Sequence, residues 1–243
     1  MLKNSEMELT QEIQIINLGL YIKKHKTLVI SDLHLGYENS MELKGVLLPR
    51  FQLKDILKSL EEIFSKVEIE QIVINGDLKH EFGKILKQEW KDILQFFDYL
   101  FSKCKKIIVV KGNHDVILSP IAGKRNIQIV KEVILDDILI IHGDSEPKLS
   151  DKIKTIIIGH EHPAISIRDG ERSEKFKCFL KGKYENLILI IQPSFNPLIE
   201  GTDITQQKTL SPLIKNVLDF EAFVFDGEKV LQFGKVKKFM QTL

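Results

Sequence analysis

The chain has 243 residues, of which 43% are hydrophobic and 28% are charged, so disordered, collagen-like and low-complexity classes are excluded. Thirty-five basic and 34 acidic side chains give a formal net charge of +1, which lacks the strongly basic balance of a dedicated nucleic-acid binder. No apolar run approaches the roughly 18 residues that a membrane span requires. We therefore expect a soluble protein with one domain over residues 1–243. The distant cysteines Cys104 and Cys178 favour packing roles and a reducing cytoplasm.

Five short runs rich in β-branched residues predict strands that are buried on both faces, as in a sheet covered by helices. Each run is followed at once by a polar or glycine-containing step. The runs are residues 27–30, 72–74, 107–110, 138–141 and 155–158.

Apolar residues at helical spacing fill the two intervals between the first three runs, from Leu53 to Val67 and from Leu86 to Phe101. Alternating strand and helix patterns predict a partly parallel sheet. Three pairs of short runs predict hairpins, namely 19–22 with 27–30, 176–180 with 187–191, and 220–225 with 229–233. The predicted fold class is α/β, with two layered mixed β-sheets flanked by helices.

Residues able to bind a metal follow all five runs. They are Asp32-Leu33-His34, Gly76-Asp77, Gly112-Asn113-His114-Asp115, His142-Gly143-Asp144 and Gly159-His160-Glu161-His162. Ligands in α/β sheets gather beyond the carboxyl ends of strands, so we expect these side chains to converge. Oxygen and nitrogen donors without thiolates favour Mn, Fe, Zn or Mg. The donors exceed the needs of one ion, which favours two ions that share a carboxylate.

The order of these motifs, D-x-H, G-D, G-N-H-D, H-G and G-H-x-H, resembles that of the calcineurin-like metallophosphoesterases. Residues 31–38 (SDLHLGYE), 76–83 (GDLKHEFG) and 159–165 (GHEHPAI) are similar to the small Icc-like, SbcD-related phosphoesterases typical of archaea. Residues 193–203 (PSFNPLIEGTD) resemble the same subgroup. The resemblance implies the four-layer sandwich of that superfamily.

The resemblance also implies the role of each site residue. One divalent ion would be held by Asp32, His34 and His162, the second by Asn113, His142 and His160, and Asp77 would bridge them. Mn is the leading candidate for both ions, with Fe, Zn or Mg as alternatives. A hydroxide between the ions would attack phosphorus in line. His114 would protonate the leaving oxygen, and Asp115 would orient its imidazole.

These roles predict a phosphodiesterase acting on a nucleotide-like or small organic diester. Two dications, two carboxylates and one hydroxide leave one net positive charge, which matches a singly charged diester better than a dianionic monoester. Lys79, His80 and Arg50 are the candidates for substrate binding, since each would add positive charge near the ligands.

Two other functions stay open on the sequence. An SbcD-like nuclease acting on DNA or RNA ends is disfavoured by the neutral net charge and by the predicted hairpins after His162, which leave little room for a capping domain. A catalytically silent binding scaffold is disfavoured because every ligand and His114 are present. The expected partners are a small phosphoester or nucleic acid, no membrane, and a second copy of the chain in a homodimer.

Overall fold

The computed structural model describes residues 5–115, 118, 127–169 and 172–241. The first sheet has seven strands in the order in which they follow along the chain. They are β1 (Glu6–Glu8), β2 (Ile13–Ile16), β3 (Gly19–Ile22), β4 (Thr27–Ser31), β5 (Gln71–Asn75), β6 (Lys106–Val110) and β7 (Gln128–Val130). Strands β1 to β4 pair antiparallel, and β4 to β7 pair parallel.

The second sheet has nine strands and is also mixed. They are β8 (Glu132–Leu135), β9 (Ile138–Ile141), β10 (Thr155–Ile158), β11 (Pro163–Asp169), β12 (Arg172–Tyr184), β13 (Leu187–Ile191), β14 (Thr202–Asp203), β15 (Glu221–Phe225) and β16 (Val230–Lys235). Seven of them pair in the order β14-β11-β12-β13-β10-β9-β8. Strand β15 pairs with β12 on one side and with β16 on the other. Strands β9, β10 and β13 run parallel.

Within the described part of the chain there are three α-helices: α1 (Tyr37–Leu43), α2 (Gln52–Phe64) and α3 (Lys87–Lys103). The apolar faces of α2 and α3 pack on one face of the first sheet, where Ile56 and Phe97 share a core with Ile30 and Ile74. Side chains alternate between the two faces of a strand. Val29 of β4 therefore points to the opposite face of the sheet.

That opposite face forms the core between the two sheets. Val29 and Val73 of the first sheet pack there with Ile157, Phe179 and Ile190 of the second. The predicted fold class, two mixed sheets in an α/β sandwich, is confirmed.

The outer face of the second sheet is covered differently from that of the first. Ile204, Leu213 and Phe220 pack on this face from a segment of turns over residues 204–220, and the short 3-10 helix Val236–Gln241 adds Val236. Ser211 and Pro212 fall within this segment, and both residue types favour turns over helix. The predicted helices α2 and α3 therefore flank the first sheet, whereas turns and a 3-10 helix cover the outer face of the second.

The predicted elements are confirmed at their positions. The five buried runs are β4, β5, β6, β9 and β10, the helical stripes are α2 and α3, and the hairpins are β3–β4, β12–β13 and β15–β16. The hairpin after β12 is tighter than predicted, since β12 continues to Tyr184 and pairs it with Leu187. Helix α1 and the strands β1, β2, β7, β8, β11 and β14 were not predicted. One domain over residues 1–243 stays a prediction.

Among the described residues, no helix combines the length and the apolar character needed to cross a bilayer.

We predict that Phe179→Ala lowers the free energy of unfolding by about 3–5 kcal/mol, because it removes a fully buried ring from the core between the sheets. Phe101→Ala is the matched control. Its ring, on α3, is 39% exposed, and we expect a loss below about 1 kcal/mol. Chemical denaturation measures both. Equal losses would mean that Phe179 contributes no more than a surface ring.

Candidate metal centre

The loops that follow β4 and β10 meet between the two sheets. The main-chain N–H of His160 donates to Asp32 Oδ1 and Oδ2 at 3.2 and 3.1 Å. Because β4 lies in the first sheet and β10 in the second, this contact brings strand ends from both sheets together. The residues that the sequence singled out at these ends are thus placed at one edge of the sandwich.

The first group of predicted ligands consists of Asp32, His34 and His162. One ligand atom from each lies within 4.8 Å of the other two. His34 Nε2 is 3.3 Å from His162 Nε2, and His162 Nε2 is 3.4 Å from Asp32 Oδ1. Their donor atoms therefore converge on one point.

The second group consists of Asp77, His142 and His160, whose ligand atoms again lie within 4.8 Å of one another. His142 Nε2 is 3.5 Å from Asp77 Oδ2, and His160 Nδ1 is 3.2 Å from His142 Nε2. The amide oxygen of Asn113 approaches His142 Nε2 at 2.9 Å. All seven predicted ligand residues are thus brought together in two groups.

Asp77 faces both groups. Its Oδ2 atom lies 3.7 Å from His34 Nε2 and 3.5 Å from His142 Nε2. Its Oδ1 atom accepts a hydrogen bond of 2.9 Å from the main-chain N–H of His114, which fixes the carboxylate. The position of Asp77 is that of a carboxylate shared by two groups of donors.

The charges of the site fit a cation. Burial opposes ionisation of Asp77, but the hydrogen bond and charge of His142 outweigh it and lower the pKa of this carboxyl below its usual range. The pKa of Asp32 is also lowered, by His162 and His142 against the effect of burial. Burial opposes a charge on His142 as well, yet Asp77 and Asp32 raise its pKa to about 9. Buried ionised carboxylates require a positive partner.

The backbone adopts the left-handed region at most of the predicted ligands. Positive φ angles occur at Asp32 (54°), His34 (43°), Asp77 (44°), His160 (64°) and His162 (48°). Such angles are uncommon outside glycine, and each costs of order 1–3 kcal/mol. Their concentration at one site indicates that the loops are shaped to aim these side chains inward.

Two glycines provide the space that the site needs. A Cβ atom at Gly76 would lie 2.0 Å from His142 Nδ1, and one at Gly112 would lie 2.2 Å from Asp77 Oδ1. Only a residue without a side chain allows these ligands to approach the main chain so closely. The clearance, together with the oxygen and nitrogen donor set, fits one or more divalent ions.

His114, the predicted catalytic residue, lies beside the shared carboxylate. Its Nε2 atom is 3.9 Å from Asp77 Oδ2, and its Nδ1 atom is 2.6 Å from the main-chain oxygen of His80. A carbonyl oxygen only accepts hydrogen bonds, so Nδ1 carries a hydrogen and Nε2 is left to face the site.

Asp115 does not orient His114 as the sequence suggested. Its carboxylate accepts hydrogen bonds from the main-chain N–H groups of Leu78, Lys79 and Gly112, at 3.3, 3.2 and 3.1 Å. Burial, together with the charge of Asp77, raises the pKa of Asp115 to about 6. Asp115 braces the loops after β5 and β6, and the orienting partner of His114 is the His80 carbonyl.

Of the three predicted substrate-binding residues, the structure brings His80 to the site. Its ring centroid is 5.4 Å from that of His34 and 5.8 Å from that of His114. Lys79 is fully buried, and its ammonium group donates to the main-chain oxygens of Glu81 and Lys84. Arg50 instead pairs with Glu42 Oε2 at 2.8 Å. The expectation for Lys79 is corrected, because its ammonium group is committed to main-chain oxygens, whereas substrate binding by Arg50 stays a prediction.

Sequence reasoning missed the residues that hold the first ligand loop. Gln52 Nε2 donates to the main-chain oxygen of His34 at 2.8 Å, and Ser194 Oγ donates to that of Asp32 at 2.7 Å. The Phe195 N–H donates to the main-chain oxygen of Ser31 at 2.9 Å. Ser194 and Phe195 lie in the PSFN segment noted above, whereas nothing in the sequence marks Gln52.

The chain belongs to the calcineurin-like phosphoesterase family, whose model matches residues 25–173. The matched region contains both groups of predicted ligands, and family membership indicates a metal-binding hydrolase of phosphoesters. No curated protein matches the chain.

One solved structure shares the fold, and a second aligns with a lower TM-score. Nuclease MPE from Pseudomonas putida aligns with a TM-score of 0.65 and 17% identity, over 94% of this chain and 99% of that one. YfcE, a phosphoesterase from E. coli, aligns with a TM-score of 0.44 and 16% identity, over 86% of this chain and 98% of that one.

We predict that Gly76→Ala reduces the metal content of the protein, because its Cβ atom would displace the His142 ring. Gly45→Ala is the matched control, since Gly45 also has a positive φ (86°, against 80° at Gly76) but no atom within 4 Å of its Cβ position. Elemental analysis after equilibration with Mn measures bound metal per chain. A wild-type metal content in Gly76→Ala would show that the clearance beside His142 is not needed.

Proposed function

We propose that this protein is a phosphodiesterase that uses two divalent ions, with Mn the leading candidate and Fe, Zn or Mg as alternatives. The observation that carries the proposal is the position of Asp77, whose Oδ2 atom lies within 3.7 Å of a histidine nitrogen from each ligand group. Asp32, His34 and His162 would hold one ion, and Asn113, His142 and His160 the other. When bound, such ions lower the pKa of water and neutralise charge on phosphoryl oxygens.

His114 supplies the proton in this proposal. Its Nδ1–H group is committed to the His80 carbonyl, so the proton that it donates would be carried on Nε2, on the side of Asp77. From there it can pass to the oxygen that leaves phosphorus. The His80 carbonyl accepts the hydrogen bond from Nδ1 and fixes the plane of the His114 ring.

A diester is favoured over a monoester by the charge around the ligands. A dianionic monoester would require positive charge beyond that of the two ions. Lys79, His80 and Arg50 were the side chains expected to add it. The ammonium group of Lys79 donates to Glu81 and Lys84, burial lowers the pKa of His80 to about 4, and Arg50 pairs with Glu42. This supports a singly charged phosphodiester, either nucleotide-like or small and organic.

DNA or RNA is the second candidate substrate. The Pseudomonas putida protein that shares this fold over 99% of its length is a nuclease, so the fold itself accommodates a nucleic-acid phosphodiester. The formal net charge of +1 argues against a grip on many phosphates. A nuclease of this kind would act on DNA or RNA ends.

A cytoplasmic location and a homodimer complete the proposal. Both cysteines are free and buried, which is compatible with a reducing compartment.

The direct test is reconstitution with Mn, Fe, Zn or Mg, followed by assays on a panel of monoesters, diesters, cyclic nucleotides and single-stranded nucleic acids. We expect diesters to be hydrolysed faster than monoesters of the same alcohol. Activity confined to monoesters would contradict the charge argument.

We predict that His114→Ala lowers kcat on a diester by about a hundredfold, the usual contribution of a positioned general acid. Bound metal is expected to stay at the wild-type level, because the predicted ligands are retained. Steady-state kinetics and elemental analysis on the same preparation measure both. An unchanged kcat would remove His114 from the mechanism.

We predict that Asp77→Ala loses metal as well as activity, because the carboxylate that faces both ligand groups is removed. Isothermal titration of the apoprotein with Mn measures stoichiometry and affinity, and His114→Ala is the control with its ligands intact. Two full equivalents bound at wild-type affinity by Asp77→Ala would refute the bridging role.

A further inference from the structure

We propose that Phe82 is a stacking platform for a nucleobase of the substrate, so that the preferred substrate is a single-stranded nucleotide diester. This inference rests on the proposed phosphodiesterase function and names the substrate class of the same site. Neither the ligand residues nor His114 require an aromatic side chain at this position.

The position of Phe82 is the first observation. Its ring centroid lies 3.9 Å from that of His114, at an interplanar angle of 48°, and the side chain is 54% exposed. Scattered exposed apolar residues are ordinary, but a large ring that stays open to solvent directly beside a predicted catalytic residue is informative. A group bonded to the oxygen that His114 protonates would emerge next to this ring.

The second observation is that the loop carrying Phe82 is fixed from both sides by buried charged groups. The Lys79 ammonium group donates to the main-chain oxygens of Glu81 and Lys84, which flank Phe82. The Glu89 Oε1 atom accepts hydrogen bonds from the N–H groups of His80 and Glu81, at 2.9 and 3.0 Å. Lys79 and Glu89 are each fully buried. The exposed ring is therefore held on an ordered loop, which lowers the entropy cost of binding a partner.

The third observation is that Phe82 ends a row of rings along the site. Tyr37 packs on His80 at 5.0 Å between centroids, and His80 stacks on His114 at 5.8 Å with an angle of 24°. Planar surfaces of this kind bind bases of any sequence through their π-faces. Because the net charge is only +1, stacking is a better source of affinity here than contacts with many phosphates.

Kinetics on a matched pair of substrates tests the inference. The pair is dithymidine monophosphate and the same diester without its two bases, each assayed with Mn-loaded protein. We expect the wild type to prefer the base-bearing diester in kcat/KM, mainly through KM. Phe82→Ala should reduce this preference by about tenfold, within the range of one base–aromatic contact.

Three variants separate stacking from simple packing. Phe82→Trp should keep the preference, because it retains a planar ring, whereas Phe82→Leu should lose it although the side chain stays apolar. Phe101→Ala, at an exposed ring on the last turns of α3, should keep the wild-type preference. If Phe82→Ala lowers kcat/KM by the same factor on both diesters, the ring only supports His114 and the inference is overturned.

Binding to metal-free protein gives a readout that does not depend on activity. A short dye-labelled oligothymidylate and an abasic oligomer of equal length are compared by fluorescence anisotropy on the wild type and on Phe82→Ala. Base-dependent binding that Phe82→Ala loses, without hydrolysis under any metal, would support the stacking platform and contradict the phosphodiesterase. Hydrolysis of both diesters without a preference for the bases would support the phosphodiesterase and contradict the stacking platform. Binding that does not depend on the bases would also overturn the inference.

Discussion

The structure of the site depends on the neutralisation of two buried carboxylates, those of Asp32 and Asp77. Asp32 and Asp77 lie at the ends of adjacent parallel strands and are almost entirely shielded from solvent. Ionised carboxylates in such a place are costly unless positive or polar groups surround them. The second sheet supplies those groups, since His142, His160 and His162 follow its strands β9 and β10. Packing the two sheets face to face brings these strand ends together, which makes the acidic pair tolerable and creates a place where a divalent ion could bind.

The loops that carry these side chains are held in unfavourable backbone conformations by hydrogen bonds from other parts of the chain. Gln52 and Ser194 hold the first ligand loop through its main-chain oxygens. In the second sheet, Glu161 accepts hydrogen bonds from the N–H groups of Leu210 and Ser211 at 2.8 and 3.1 Å. Ser211 Oγ in turn donates to the Gly143 main-chain oxygen at 2.6 Å. The irregular layer over the second sheet thus braces the loops of His142 and His160, besides covering apolar surface.

Charged residues near the site divide into those that face it and those that shape its loops. Lys79, Glu89 and Asp115 shape the loops. Each side chain is buried and forms hydrogen bonds with main-chain groups of residues 78–86 and 112. Their effect is to fix the segment that holds His80 and Phe82, and so to fix the carbonyl that orients His114. The chemistry of the site therefore depends on main-chain geometry as much as on the ligands.

Much of the fold and of the ligand set could be read from the sequence, because both are written in local patterns. Continuous apolar runs marked β4, β5, β6, β9 and β10. Polar residues directly after each run marked the candidate ligands that the structure brings together, since parallel strands end at a common edge. Short edge strands such as β1, β7 and β14 have too few residues to show a period, so their pairing depends on neighbours distant in sequence.

The direction of each charged side chain near the site was likewise decided by the tertiary structure. The charges of Lys79, Arg50 and Asp115 suit the roles that the sequence predicted for them. In the structure, Lys79 donates to loop carbonyls, Arg50 pairs with Glu42, and Asp115 accepts from main-chain N–H groups. A long or buried polar side chain takes the partner that burial leaves available. That choice is set by residues brought together from separate elements, which no local pattern records.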